Sequence, residues 1–442
     1  VQHPADDPNS DIITTHFEYH SMESNLLKLD MLGHDDPTMI RMLQDLTGVD
    51  PQKIPLDDRD TMSIFTSSEV LGFVDDPILG PTGAVAIPEF NTKFTRGMLV
   101  DTQPHEFDIL LRLSGFSHGT DVWLGNAKDL ITSGTAKVSE AIGCRDDIML
   151  YLISKGLDPK MSFKIMEKVR KGKVKKGGFD EGWVEAMEAH DVPAWYIDSL
   201  AKIGYLFPKA HAVAYAIVCY QTAWFKCHYT KEYMAALLTS VLDSSEKVAE
   251  YIAECRECGI ELLPPDVNES QADFTVSDGG IRFGLVALKG VGRNVINGLL
   301  EERSKGGPFT DFMDFCDRVF DRDLNRRVLE SLIKSGSFDR MGCRRSQLME
   351  VFGQVLDGLA ASRKRNLEGQ LDLFGMGGGE EQAALPALHL PDIPEYSPQE
   401  RMTMEKEVTG LYLSGHPMDA YREAARAVGA VTIGSILSDF SR

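Results

Sequence analysis

The sequence predicts a mainly α-helical protein with a small α/β part. Between residues 60 and 260, apolar residues recur at helical spacing, with glycine-rich breaks between the stretches. One short stretch near the amino terminus alternates apolar and polar residues, as a half-buried strand does. Two later stretches combine apolar helical patterns with glycine turns. Together these patterns favour a helical protein with little β-structure.

Composition places the chain among ordinary globular proteins. Its 442 residues are 43% hydrophobic and 26% charged, which is enough to bury two or three cores. No run of eighteen uncharged apolar residues is present, and this argues against a membrane span. The net charge of −21 argues against a generic nucleic-acid binder, because affinity for phosphates comes from clustered Lys and Arg.

The cysteines indicate a reducing compartment. Seven of them stand at irregular positions in a large chain, which is typical of free thiols in the cytoplasm. Cys255 and Cys258 form one Cys-x-x-Cys pair, but no second pair follows at a suitable distance. The sequence therefore predicts a cytoplasmic location and gives little support for a zinc site.

The alternating stretch is "LLKLDML", residues 26–32. Leu27, Leu29 and Met31 share one face of the predicted strand, while Lys28 and Asp30 share the other. Such a strand presents one carboxylate, Asp30, which could also pair with Lys28. A helix beginning at "DDPTMI" is predicted directly afterwards.

A basic cluster interrupts the acidic chain at residues 164–176, "KIMEKVRKGKVKK". Lys164, Lys168 and Lys171 fall on one predicted helical face. A solvated helix surface would explain them. However, like charges at this density repel, so a bound polyanion would explain them as well.

The stretch "LFPKAHAVAYAIVCYQTAWFKCHY", residues 206–229, predicts a buried helix. Pro208 fits only near its entrance, because proline has no N–H to donate. Lys209 and His211 then lie on the first turn, where unpaired backbone N–H groups attract anions. They are either two solvated polar residues or a phosphate site.

Two glycine turns predict contacts with a nucleic-acid backbone. In "IRFGLVALKGVGRNVINGLLEER", Gly290 and Gly292 follow a short strand and open a helix, as in a helix-hairpin-helix unit. Glycines let backbone N–H groups approach a phosphate closely. A related unit, "LNRRVLESLIKSGSFDRMG" at 324–342, follows. Two adjacent units favour a DNA-backbone clamp, although a plain turn between core helices is the alternative.

The chain turns polar and rich in glycine and proline after residue 360, which predicts a linker. Within it, "QLDLF" is an apolar, extended-looking peptide. Exposed Leu and Phe side chains in a mobile segment are costly unless a partner groove receives them. This peptide either docks on a partner or pins the linker to the protein body.

Several of these motifs together resemble one protein family. "NLLKLDMLGHDDPTMIRMLQDL", "SHGTDVWLGNA", "IGCRDDIM", "KIMEKVRKGK", "VPAWYIDS" and "FPKAHAVAY" are similar to the PolC type of the bacterial DNA polymerase III alpha subunit, over residues 1 to about 215. From about residue 216, "PPDVNESQADFTV", "IRFGLVALKGVG", "VLESLIKSGSFD" and "TGLYLSGHPMDAY" resemble the DnaE type of the same enzyme. We therefore expect an internal fragment of this enzyme.

The resemblance implies a polymerase-β-like palm edge, helical fingers and a tandem helix-hairpin-helix domain. The domains it implies are 1–60 for the palm edge, 61–230 for the fingers, 231–345 for the DNA-binding domain, 346–400 for a linker with a clamp-binding peptide, and 401–442 for the lead-in to an OB-fold.

It also implies template-directed DNA synthesis by two-metal nucleotidyl transfer. Asp30 would be the third metal-binding carboxylate for two Mg²⁺ ions, which it would share with carboxylates outside this chain. The expected partners are primer-template DNA, dNTP, the sliding clamp and other replicase subunits. The alternative is a non-catalytic module that binds DNA and tethers the clamp.

Three sets of contact residues complete the expectation. Fixed cations must meet the triphosphate, on which negative charge grows during the reaction. The nucleotide-binding set, with an aromatic residue to pack against the sugar or base, is Arg145, Arg170, Lys209, His211 and Tyr205. The DNA-binding set is Lys289, Gly290, Gly292, Arg293, Lys164, Lys168 and Lys171. The clamp-binding set is Gln370, Leu371, Leu373 and Phe374.

Overall fold

A computed structural model describes residues 2–4, 7–15, 18, 21–22, 24–27, 34–74, 76, 79–242, 244–367, 388–431, 433 and 436. Asp30 and the peptide at residues 370–374 lie outside these residues. The described part is mainly helical with one small sheet, as the sequence predicts. None of its helices is long and apolar enough to cross a membrane.

The helices before the sheet form the larger part of the fold. They are α1 Asp36–Thr47, α2 Arg59–Ser63, α3 Lys93–Thr102, α4 Phe107–His118, α5 Lys128–Thr132, α6 Arg145–Ser154, α7 Pro159–Arg170, α8 Lys173–Gly177, α9 Trp183–Ala189, α10 Ala194–Lys202, α11 Lys209–His228, α12 Thr230–Ser240 and α13 Ser245–Glu257.

The sheet and the later helices follow. They are β1 Glu261–Leu263, β2 Thr275–Ser277, β3 Gly280–Arg282, α14 Arg293–Gly306, α15 Phe312–Val319, α16 Arg326–Lys334, α17 Arg345–Leu367, α18 Pro398–Thr409 and α19 Arg422–Ala427. The strand order is β1-β3-β2, with β1 parallel and β2 antiparallel to the central β3. Ile281 of β3 is fully buried between Leu262 and Val276.

Helix α11 is the centre of the first part. It packs against α4 and α12 and also contacts α1, α2 and α6. Its most buried positions include the small residues Ala212, Ala216, Cys219 and Ala223. Small side chains let the backbones of neighbouring helices come close, so several helices can pack against α11.

The linker expected from residue 346 is not observed there. Helix α17 continues to Leu367, and Leu348, Val355 and Leu359 on it are buried. These residues recur at helical spacing and pack against α15 and α16. The expectation was wrong for residues 346–367, where this apolar stripe forms a helix that packs on the protein.

Candidate active site and nucleic-acid interface

One extended segment just before α11 gathers the candidate nucleotide-binding residues. Its Tyr205 pairs with Thr120, which follows α4, through N···O distances of 2.9 and 3.2 Å. The N–H of Leu206 donates to the carbonyl of Arg170 at 3.2 Å, and the N–H of Arg145 donates to the carbonyl of Phe207 at 3.0 Å. The segment therefore joins the ends of α4 and α7 and the start of α6.

The cations at this segment differ in how their charges are compensated. Arg170 forms a bidentate pair with Glu167, with 2.9 Å between Nη2 and Oε2. This hydrogen bonding raises the pKa of Arg170 and lowers the pKa of Glu167. Arg145 lies with Nε 3.9 Å from Asp146 Oδ2. Lys209 is half-buried, and no carboxylate of the described residues lies within 4.0 Å of its Nζ.

The first turn of α11 is less open to an anion than its sequence suggests. The N–H of Lys209 donates to Asp146 Oδ2 at 2.7 Å, and the N–H of His211 donates to the carbonyl of Pro208 at 3.2 Å. The expectation of free amides is wrong at these two positions. Asp146 is 63 residues upstream, so local sequence gave no sign that its carboxylate caps this helix.

Aromatic rings surround the same turn. Phe207 meets His211 edge-on, with 4.7 Å between ring centroids, and His211 lies 4.7 Å from Tyr215. Tyr215 in turn hydrogen-bonds His34 Nε2 through its hydroxyl at 3.0 Å. Tyr205 is 43% exposed, so its ring is accessible to a ligand.

The basic run at 164–176 is largely compensated by nearby acids. Lys168 Nζ lies 2.6 Å from Asp180 Oδ1, and Lys171 Nζ lies 3.2 Å from Glu167 Oε2. Lys164 is exposed. Helix α7 ends at Arg170, so Lys171 follows the last helical residue instead of completing one face. This arrangement favours a solvated surface over a continuous polyanion site.

The described residues contain no group of three or more His, Cys, Asp or Glu side chains arranged to hold a metal ion. Asp30, the carboxylate expected to bind Mg²⁺, lies outside the described part of the chain. Its role as a metal ligand stays a prediction.

The first glycine turn, at residues 289–293, is open. Lys289, Gly290, Gly292 and Arg293 are all exposed, and Gly290 has a φ of 83°, which favours glycine. Among the described residues, no protein group accepts from the amides of Gly290 and Gly292. These are the amides that the sequence offers to a phosphate.

Two neighbouring residues change what this turn offers to a phosphate: one occupies an amide, and the other adds a positive charge. The amide of Lys289 donates to the carbonyl of Val408 on α18 at 2.7 Å, so it is not free. A Cβ at Gly290 would lie 2.7 Å from Arg327 Nε, which places this exposed guanidinium beside the turn. Sequence reasoning missed Arg327 because it belongs to the second unit, 37 residues further along the chain.

The second glycine turn is covered. Gly336 has a φ of 83° and contacts the guanidinium of Arg345. Arg345 is buried and donates to Asp339 at 2.7 Å and to Glu405 at 3.0 Å. The two turns therefore differ, because a buried ion-pair network fills the second one, and only the first leaves its glycine amides open to a phosphate.

Comparisons with known proteins agree with this architecture. Residues 36–191 match the bacterial DNA polymerase III alpha subunit finger domain, and residues 259–348 match a helix-hairpin-helix motif. The DNA polymerase III PolC-type of Caldanaerobacter subterraneus subsp. tengcongensis is 44% identical over 373 aligned residues, which cover 77% of this chain and 26% of that protein. The protein of the same description from Staphylococcus aureus strain MW2 is 43% identical over 375 residues, with the same coverage.

The chain spans about a quarter of the length of the curated relatives it matches. Residues 1–215 are less than half of the chain, so an alignment that covers 77% of it continues past residue 215. The similarity to the PolC type thus extends into the part whose motifs resemble the DnaE type. Over 77% of its length the chain is thus similar to the PolC-type bacterial DNA polymerase III, and it contains a match to the finger domain of the DNA polymerase III alpha subunit.

Proposed function

We propose that this chain supplies the fingers and the duplex-binding part of a DNA polymerase that copies a template strand. The reaction is transfer of a nucleotidyl group from a dNTP to a primer 3′-OH, with release of pyrophosphate. The observation that carries the proposal is Lys209, whose ammonium group has no carboxylate within 4.0 Å among the described residues. It lies with Arg145, Arg170 and His211 around the segment just before α11, which follows the residues that match the polymerase finger domain.

These residues suit the charge that develops during the reaction. Negative charge grows on the triphosphate, and fixed cations stabilise it most when they are already in place. An arginine binds phosphate through two parallel hydrogen bonds, whereas lysine acts as a point charge. Arg170 must exchange Glu167 for a phosphate to take part, so we assign the leading role to Lys209.

We also propose two Mg²⁺ ions as cofactors, with Asp30 as one ligand beside carboxylates outside this chain. Such ions would lower the barrier by activating the attacking oxygen and neutralising the phosphates. The direct test of the function is primer extension by the full-length protein. Incorporation must follow the template base, and it must respond to a change at Lys209. Synthesis that ignores the template would contradict the proposal.

The open glycine turn is proposed to bind the duplex backbone without reading base sequence. Backbone amides can donate to phosphate oxygens, and the side chains of Lys289, Arg293 and Arg327 can neutralise phosphates. Contacts to phosphates carry no information about the bases. Binding should therefore weaken with salt and be indifferent to sequence. The ion pair between Arg293 Nη2 and Asp273 Oδ1, 2.8 Å apart, would compete with such a contact.

Asp273→Asn should therefore tighten duplex binding. The substitution frees Arg293 for a phosphate, so the affinity for duplex DNA should rise about two- to fivefold. The slope of log K against log salt concentration should steepen by the release of about one more counterion. Asp278→Asn is the matched control, because it removes the same charge from an exposed residue of the same sheet region without touching Arg293. Titration of a labelled duplex by fluorescence anisotropy at several salt concentrations measures both effects. Equal gains in the two variants would contradict a specific role of Arg293.

The peptide at residues 370–374 is proposed as a tether to a sliding clamp. Leu373 and Phe374 suit an apolar groove, with Leu371 along its rim and Gln370 as a hydrogen-bonding group. A single peptide should bind weakly, and attachment of both partners to one DNA would raise its effective concentration. We also propose that the protein assembles with other replicase subunits and works in the cytoplasm.

Changing Leu373 and Phe374 to alanine should shorten the products made with the clamp and leave synthesis without it intact. Met376→Ala, two residues downstream, is the control. Product lengths on a primed single-stranded circle, with and without the clamp, provide the measurement. Equal losses in both reactions would mean that the segment supports the polymerase body instead.

A further inference from the structure

A strained loop holds one carboxylate near the nucleotide segment. Glu89 has a φ of 70°, and Ala86 in the same loop has a φ of 62°, a region that non-glycine residues seldom adopt. Such conformations persist only where the surrounding structure enforces them, and they cluster at functional sites. The positive φ angles of Ala86 and Glu89 in the loop between α2 and α3 therefore suggest a functional role for this loop.

Buried hydrogen bonds enforce this conformation. The ammonium group of Lys226, on α11, donates to the carbonyls of Gly83 and Val85 at 2.8 and 2.5 Å. The amide of Ala86 donates to Asn91 Oδ1 at 2.7 Å, and the hydroxyl of Tyr233 donates to the carbonyl of Ala86 at 2.7 Å. The loop is thus fixed on both sides of Glu89.

The loop directs Glu89 to His118, the last residue of α4. The Glu89 carboxylate hydrogen-bonds Nε2 of the imidazole, and the side chains are 12% and 34% exposed. The ring of His118 stacks on Phe207, with centroids 4.8 Å apart and planes 19° from parallel. The bond to the largely buried carboxylate of Glu89 fixes the orientation of the half-exposed His118 ring.

Phe207 is where this pair reaches the candidate nucleotide-binding residues. Its ring lies between His118 and His211, and its carbonyl accepts the N–H of Arg145. Lys209 follows it by two residues. Rotation of the His118 ring would remove the support of Phe207 and shift residues on both sides of it.

We propose that Glu89 and His118 form a positioning pair for the nucleotide site. Glu89 fixes the ring of His118, His118 supports Phe207, and Phe207 sets the position of His211 and Arg145 relative to the triphosphate. This proposal rests on the proposed function, because it assigns the pair to the same dNTP. Neither residue needs to touch the substrate.

The test compares five variants of the full-length protein, Lys209→Ala among them, in primer extension at varied dNTP concentration. Glu89→Ala and His118→Ala should each raise the KM for dNTP about tenfold and leave the affinity for primer-template DNA within about twofold. Glu89→Gln keeps an oxygen that can accept from the imidazole, so its KM should stay within about threefold of the original. His228→Ala is the matched control: its imidazole pairs with Asp58 at 3.1 Å at the other end of α11.

The outcomes separate the two proposals. If Lys209→Ala raises the KM but Glu89→Ala behaves like His228→Ala, the positioning pair is wrong and the nucleotide site stands. If Lys209→Ala also has no effect, both are wrong. A Glu89→Gln variant as impaired as Glu89→Ala would contradict the role in ring orientation. Melting temperatures of all variants show whether a loss of folding explains a change, and a KM effect in a variant with an unchanged melting temperature supports the pair.

Discussion

Replacement of Lys226 by methionine should lower the free energy of unfolding by about 3–5 kcal/mol, because it leaves a buried carboxylate without its partner. Lys226 and Glu254 are both fully buried and form an ion pair between α11 and α13. The ammonium group also donates to the carbonyls of Gly83 and Val85. Methionine fills similar volume but supplies none of these hydrogen bonds.

The loss should depend on pH. Burial raises the pKa of the Glu254 carboxyl even beside Lys226, whose charge pulls it down. Loss of Lys226 raises the pKa of this carboxyl in the native state still further. The native state then binds more protons than the unfolded state. Stability then falls as pH rises from about 4.5, the ordinary value of this group. The variant should be impaired more at pH 8 than at pH 5.

Urea denaturation followed by tryptophan fluorescence measures the loss of unfolding free energy in the part of the chain that contains Lys226. All four tryptophans lie between residues 123 and 224, so the signal reports on the first part of the chain. Lys231→Met, at an exposed position of α12, is the control. Adding Glu254→Leu to Lys226→Met should restore part of the stability, because it removes the unpaired charge. A loss below about 1 kcal/mol in the single variant would show that the pair contributes little.

The sequence allowed the order and type of the main elements to be predicted, and α11 shows where such prediction stops. Its start at Pro208 and its length follow from local rules on proline and periodicity. The helix is not buried on all sides as we expected: Val213, Ile217 and Trp224 are only half-buried, while Tyr220 and Ala216 are fully buried. A helix surrounded by others buries small residues where a neighbour is closest, and periodicity alone cannot show this.

The candidate sites were predicted where the signal is local and missed where it is not. Pro208, Lys209 and Gly290 could be placed from neighbouring residues. Asp146 and Arg345 could not, since each acts on a turn through a tertiary contact. In both cases a charged side chain occupies a position that the local pattern assigns to a phosphate.

Replacement of Lys209 by alanine should lower kcat/KM for dNTP about 30- to 1,000-fold, which corresponds to about 2–4 kcal/mol of transition-state stabilisation. Lys209 is the first residue of α11, where its charge meets the positive end of the helix dipole. Asp146 binds its amide and leaves its ammonium group without a carboxylate among the described residues. A bound triphosphate would compensate the charge of this ammonium group.

The same reasoning predicts that Lys209→Ala does not destabilise the fold. Alanine is a better helix former and removes an unfavourable charge from the helix start, so the melting temperature should stay or rise slightly. Single-turnover incorporation at varied dNTP concentration separates weaker binding from slower chemistry. Lys202→Ala, an exposed lysine that donates to the carbonyl of Gly125 at 3.0 Å, is the control and should leave both unchanged. An unaltered dNTP dependence in a folded Lys209→Ala variant would remove the residue from the nucleotide site, because a cation at the triphosphate cannot be lost without a change in rate or affinity.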